Sequence, residues 1–127
     1  MNKKFQDSFI PLLELFLPEF ILEHFDLKNV RKEGDIYHLE LEEMNTPPQQ
    51  FASDSLLSKG FFPSITVQDF PIRGRKVFMH IKRRRWLNQQ TGKVVYRGWT
   101  EVATGTRVTS EFAAFLKEIS RYVEHGH

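Results

Sequence analysis

The sequence predicts an α+β fold: a small antiparallel β-sheet built from hairpins, preceded by short helices and followed by one amphipathic helix. Three observations carry that expectation. Short runs of alternating apolar and polar residues come in pairs joined by glycine-containing turns. A clear helical spacing of apolar residues closes the chain. Twelve phenylalanines in 127 residues, within a hydrophobic content of 40%, supply enough apolar material for the core of a single domain spanning 1–127.

The N-terminal segment 1–25 reads as helical and apolar. Phe5–Leu17 (FQDSFIPLLELFL) is apolar around most of a helix circumference, and Pro18 takes the first helical position of PEFILEHF, which ends near Phe25. Segment 26–108 reads as hairpins. Leu27–Glu33 and Ile36–Glu43 turn around Glu33-Gly34-Asp35, with Gly34 supplying a positive φ. Residues 45–63 contain Pro47, Pro48 and Pro63 and carry the weakest signal for regular structure, so they read as a long connection. Ile65–Phe70 and Lys76–Leu87 form a second hairpin around Pro71-Ile72-Arg73-Gly74, in which Val77, Met79 and Ile81 point opposite to Phe78, His80 and Lys82. Asn88–Lys93 is a polar turn and Val94–Trp99 a further strand. In segment 109–125, Thr109 is the N-cap, Glu111 favours the first turn, and Phe112, Phe115, Leu116, Ile119, Tyr122 and Val123 follow helical spacing to about His125, with Gly126 as the stop.

Composition excludes several classes of function. Without cysteine there is no disulfide framework and no thiolate metal site, which fits a reducing cytoplasm. Asp7, Pro11 and Glu14 interrupt the apolar run that a signal peptide needs, and Glu14, Glu19 and Glu23 punctuate the most apolar segment well short of a membrane span. His24, His38 and His80 are scattered in sequence, and Glu40 and Glu42 read as a solvated strand face, so no metal or other cofactor is expected. There is no glycine-rich phosphate loop, nucleophile elbow or HExxH motif, and the chain reads as not an enzyme in its own right.

The net charge of +2 conceals an asymmetry. Residues 1–60 hold 6 Lys/Arg and 11 Asp/Glu, a balance of −5, whereas residues 61–127 hold 12 and 5, a balance of +7. The basic half contains Arg73, Arg75 and Lys76, then the run Lys82, Arg83, Arg84 and Arg85, then Lys93, Arg97 and Arg107. Four adjacent cations repel one another and gain nothing in a fold, so they point to a surface that follows several phosphates of a nucleic acid. Gln68, Gln89 and Gln90 are weaker candidates for base edges. Trp86 and Trp99 read either as core or as stacking surfaces for single-stranded RNA. In the acidic half, Phe9, Leu12, Leu13, Phe16, Leu17, Phe20 and Ile21 offer more apolar surface than a short helical pair buries, which suggests an assembly interface.

The central run ITVQDFPIRGRKVFMHIKRRRW resembles the "DLP-I-x-G-K-x-V" hairpin and following Arg-Arg pair of the N-terminal region of ISL-type insertion-sequence transposases, with Asp69, Pro71, Ile72, Gly74, Val77, Arg84 and Arg85 at matching positions. SKGFFPSITVQDFPIRG and GTRVTSEFAAFLKEI are similar to the ISAon-like group, and the resemblance runs from about Leu12 to Ile119. It implies a non-catalytic module that binds terminal inverted-repeat DNA, acts with a separate catalytic transposase chain, and dimerises or docks that chain through its apolar helices. It also implies a zinc-ribbon-like unit. The cysteine pairs of that unit are missing here, and Phe51, Leu56, Leu57, Phe61, Phe62, Trp86 and Leu87 are expected to form a hydrophobic cluster in place of the metal.

Overall fold

The computed structural model describes residues 11, 12 and 14–124. Residues 5–10 of the first expected helix, with Phe9, lie outside the described residues, as do Leu13, His125 and Gly126. Helix α1 (Glu19–His24) follows Pro18, which stands one place earlier than expected, at the N-cap. It passes directly into β1 (Phe25–Glu33), which pairs antiparallel with β2 (Ile36–Glu43) across Gly34, whose φ is 61°. The 45–63 region is more ordered than its prolines suggest. It holds a 3-10 turn at Gln49–Phe51 and a strand β3 (Leu56–Phe61).

Next come β4 (Ile65–Ile72) and β5 (Arg75–Lys82), antiparallel across the two-residue turn Arg73-Gly74. Both turn residues have positive φ, 53° and 77°, the signature of a type I′ hairpin, whose twist matches that of its strands. After Arg83 the chain enters β6 (Arg84–Asn88) and the short β7 (Val94–Val95). The strand expected through Trp99 stops at Val95, and Trp99 begins helix α2 (Trp99–Thr104). The last element is α3 (Ser110–Glu124), capped as expected: the Phe112 N–H donates to Thr109 Oγ1 at 3.2 Å.

These strands form two sheets, β1-β2-β5-β4 and β3-β6-β7. The two hairpins of the larger sheet are joined by a parallel pair, β2 with β5, in which Leu39 lies beside Met79 and Leu41 beside Ile81. All other strand pairs among the described residues are antiparallel, so the α+β architecture stands with a parallel ladder at its centre. Lys28 is the extra residue of a bulge in β1, and Pro71 interrupts pairing in β4, an edge strand where proline is tolerated.

One face of the large sheet is the core. Leu27, Leu39, Leu41, Ile65, Val67, Val77, Met79 and Ile81 point to it and meet Phe20, Ile21, Phe25, Trp99, Phe112 and Phe115. Phe20 stacks on Phe112 with centroids 4.4 Å apart, and Trp99 meets Phe115 edge-on at 5.1 Å. Among the described residues, the helices bring their buried side chains to this face of the sheet. Trp86, fully buried, sits apart from this core in the smaller sheet, its indole N–H bonded to Asn45 Oδ1 at 2.9 Å. No helix among the described residues is long and apolar enough to cross a membrane.

Candidate nucleic-acid interface

The ten candidate cations divide into two groups. Arg73, Arg75, Lys76, Lys82, Lys93 and Arg107 are exposed; Arg83 is buried, and Arg84, Arg85 and Arg97 are half-buried. The division follows from how β5 turns into β6. Alternation along the strand sends Arg83 and Arg85 to one side and Arg84 to the other. Consecutive Phe61 and Phe62 meet them from across the ladder, where the Phe62 N–H donates to the Arg83 carbonyl at 2.9 Å. Arg83 and Arg85 both lie over the Phe62 ring, at 4.8 and 5.5 Å, and Arg84 lies over Phe61 at 4.6 Å.

Glu43 completes this corner. Its side chain is 1% exposed, yet each carboxylate oxygen has a donor: the Arg84 backbone N–H at 2.9 Å and Arg97 Nε at 2.9 Å. Arg84 Nε donates to the Glu43 carbonyl at 2.9 Å and its guanidinium also reaches Ser58 Oγ, while Arg97 reaches the Thr46 carbonyl. Burial pushes the Glu43 carboxyl above its ordinary range, against the opposing pull of its Arg84 and Arg97 hydrogen bonds. The expectation that the arginine run gains nothing in the fold is therefore corrected. The run ties the end of β2 to the smaller sheet. The expected hydrophobic cluster is corrected with it: Trp86 alone of its seven members is fully buried, Leu57 is exposed, and Phe61 and Phe62 serve as cation platforms.

The exposed cations that the structure does bring together are those of the β4–β5 turn: Arg73, Arg75 and Lys76. Arg73 is the sole non-glycine residue with positive φ among the described residues. An arginine there sits where asparagine, aspartate or glycine is preferred, at a cost of about 1–2 kcal/mol. Lys82 stands at the far end of β5 on the face opposite the core, while Lys93 and Arg107 lie in separate loops. Gln68, Gln89 and Gln90 are exposed, Gln89 accepting from Ser55 Oγ at 2.6 Å. Both tryptophans are buried, Trp86 fully and Trp99 at 4% exposure, so neither presents a ring face to a base.

Two placements were not legible in the sequence. His38 and His80, scattered in the chain, meet on the sheet face opposite the core because β2 and β5 are neighbouring parallel strands. His38 Nδ1 and His80 Nε2 share a hydrogen bond of 2.8 Å, His38 Nε2 contacts Glu33 Oε1 at 3.1 Å, and His80 Nδ1 contacts Thr66 Oγ1 at 2.9 Å. Burial, then the neighbouring His38 and Arg31, lower the pKa of His80, with Glu40 opposing. No group of three or more potential metal ligands is assembled among the described residues. On the apolar side, Phe20 and Ile21 prove to be core of this chain; α1 turns them onto the sheet. Leu12 and Phe16 remain 53% and 60% exposed, and Leu17 packs partly against the core. No family model, curated protein or solved structure matches the chain.

Proposed function

We propose that this chain is a non-catalytic, cytoplasmic DNA-binding module, of the kind its resemblance to the N-terminal region of ISL-type transposases implies, and that the β4–β5 turn is its principal phosphate contact. One observation carries the reading: three exposed cations, Arg73, Arg75 and Lys76, ride on a type I′ turn in which Arg73 holds a left-handed backbone that glycine or asparagine would adopt more cheaply. A residue kept where its backbone is strained is a candidate for function. A hairpin tip is narrow enough to follow a groove wall, and each phosphate it neutralises releases counterions. Lys82 extends the positive charge along β5.

The experiment compares binding of a duplex carrying the element's inverted repeat by the parent chain and by the triple variant Arg73→Gln, Arg75→Gln, Lys76→Gln. The expected result is at least a tenfold loss of affinity near 0.1 M salt, a log–log salt slope shallower by about 3, and an unchanged melting temperature. Parent-like binding by the variant would remove the turn from the interface.

A second reading is favoured by the exposed apolar residues Leu12, Leu15 and Phe16, which lie together just before α1. Such a patch suits docking to a catalytic transposase chain or to a second copy. Phe16→Asp should then lower self-association or capture of the catalytic chain, read by analytical ultracentrifugation, while leaving duplex binding intact.

A further inference from the structure

Among the described residues, the helices cover only part of the core face of the large sheet. Toward the β4–β5 turn that face opens into a cavity of about 240 Å³. Its floor is apolar: Val30 of β1, Leu39 of β2 and Val77 of β5, three neighbouring strands, present their side chains to it. Phe16, Leu17, Tyr37 and Ile72 add to this apolar lining. At the turn the lining changes character, because the exposed guanidinium side chains of Arg73 and Arg75 complete it. An apolar cavity of roughly 150 Å³ already holds a benzene molecule, so this one has room for an aromatic ring and a short aliphatic tether.

We propose that this cavity binds a small amphipathic anion, an aromatic or aliphatic carboxylate whose hydrocarbon body lies on Val30, Leu39 and Val77 and whose head meets Arg73 and Arg75. The polarity follows from the lining. Two cations at the opening of a largely apolar site favour a negative head, and a guanidinium pairs with a carboxylate in bidentate geometry. Asp69 also lines the cavity, its carboxyl accepting from the Phe70 N–H at 2.7 Å, and it is the acidic group there that a bound anion must tolerate beside the two arginines. Burial, then the charge of Glu111, raise its pKa against the hydrogen bond from Phe70.

The proposal does not depend on DNA binding, and its test contains no nucleic acid. The ¹⁵N-labelled chain is titrated with 4-phenylbutyrate, 4-phenylbutanol and 4-phenylbutylamine, which share one body and differ in the head. The acid is expected to shift the amides of Val30, Leu39 and Val77 and to bind about tenfold more tightly than the alcohol, with the amine weakest. In Arg73→Gly/Arg75→Gln the acid should fall to the alcohol's affinity while the alcohol is unchanged. Leu17→Trp, which fills the cavity from its side, should weaken all three, and Arg73→Gly/Arg75→Gln keeps the test decisive if Leu17→Trp does not fold. Shifts confined to other surfaces, or acid, alcohol and amine binding alike, would overturn the proposal.

Discussion

At the scale of single residues, Glu43 decides the most. A carboxylate 1% exposed survives in the fold because the Arg84 N–H and Arg97 Nε answer both oxygens. Removing it leaves the half-buried Arg97 guanidinium without its counter-charge, so Glu43→Ala should lower stability by about 3–5 kcal/mol, read by urea denaturation. Arg73 makes the opposite case. Arg73→Gly relieves the left-handed strain and should raise stability by about 0.5–1 kcal/mol, the gain being limited by the extra freedom of glycine in the unfolded chain. The same substitution should weaken duplex binding. His80 gives the pH dependence. Its folded pKa lies below the ordinary 6.5, so the stability it contributes is present above 6.5 and is lost as pH falls through the lower folded value. His24, lowered by burial and by Arg97, acts with the same sign, whereas Glu43 and Asp69, raised by burial, oppose it as they take up protons. Between pH 7.5 and 5.5, His80→Gln should therefore lose less stability than the parent, by chemical denaturation at each pH.

At the scale of elements, local patterns were legible and long-range partners were not. The alternation of Val77, Met79 and Ile81 identified β5, and Thr109 with Glu111 identified the start of α3, because both signals lie within a few residues. Thr109→Ala should accordingly cost α3 about 1 kcal/mol, visible as a lower denaturation midpoint. By contrast, β3 reads Leu-Leu-Ser-Lys-Gly-Phe, without alternation and with Gly60 at φ 80°, and only its pairing with β6 makes it a strand. Helix α2 begins with Trp, Thr and Glu, and its short span is held by the burial of Trp99 against Phe25 and Phe115. Hairpin logic pairs neighbours in sequence, so it could not find the parallel β2–β5 ladder that brings His38 to His80. The arginine run was misleading for the same reason: Phe61 and Phe62, its ring partners, lie some twenty residues earlier in the chain.

At the scale of the whole molecule, the acidic first half and basic second half meet at a buried ion pair. Glu43 and Arg97 neutralise each other inside, at the corner where β5 leaves one sheet for the other. Of the remaining exposed cations, Arg73, Arg75 and Lys76 gather at the β4–β5 turn, while Lys82, Lys93 and Arg107 lie apart. On the proposed function, stability and recognition would draw on different arginines, and the two should separate by mutation. Arg84→Gln should lower the melting temperature, since it removes contacts to Glu43, Ser58 and Phe61, while neutralising the turn should not. The proposal of a DNA-binding module is tested most directly by fluorescence anisotropy of the intact chain, titrated across salt with a duplex of the inverted repeat flanking its reading frame and with a scrambled duplex. The predicted result is tighter binding to the repeat by about a hundredfold, with a log–log salt slope of roughly −3 for three or four phosphates. Equal, weak binding to both duplexes that vanishes by physiological salt would contradict it, and would leave assembly through Leu12, Leu15 and Phe16 as the function to pursue.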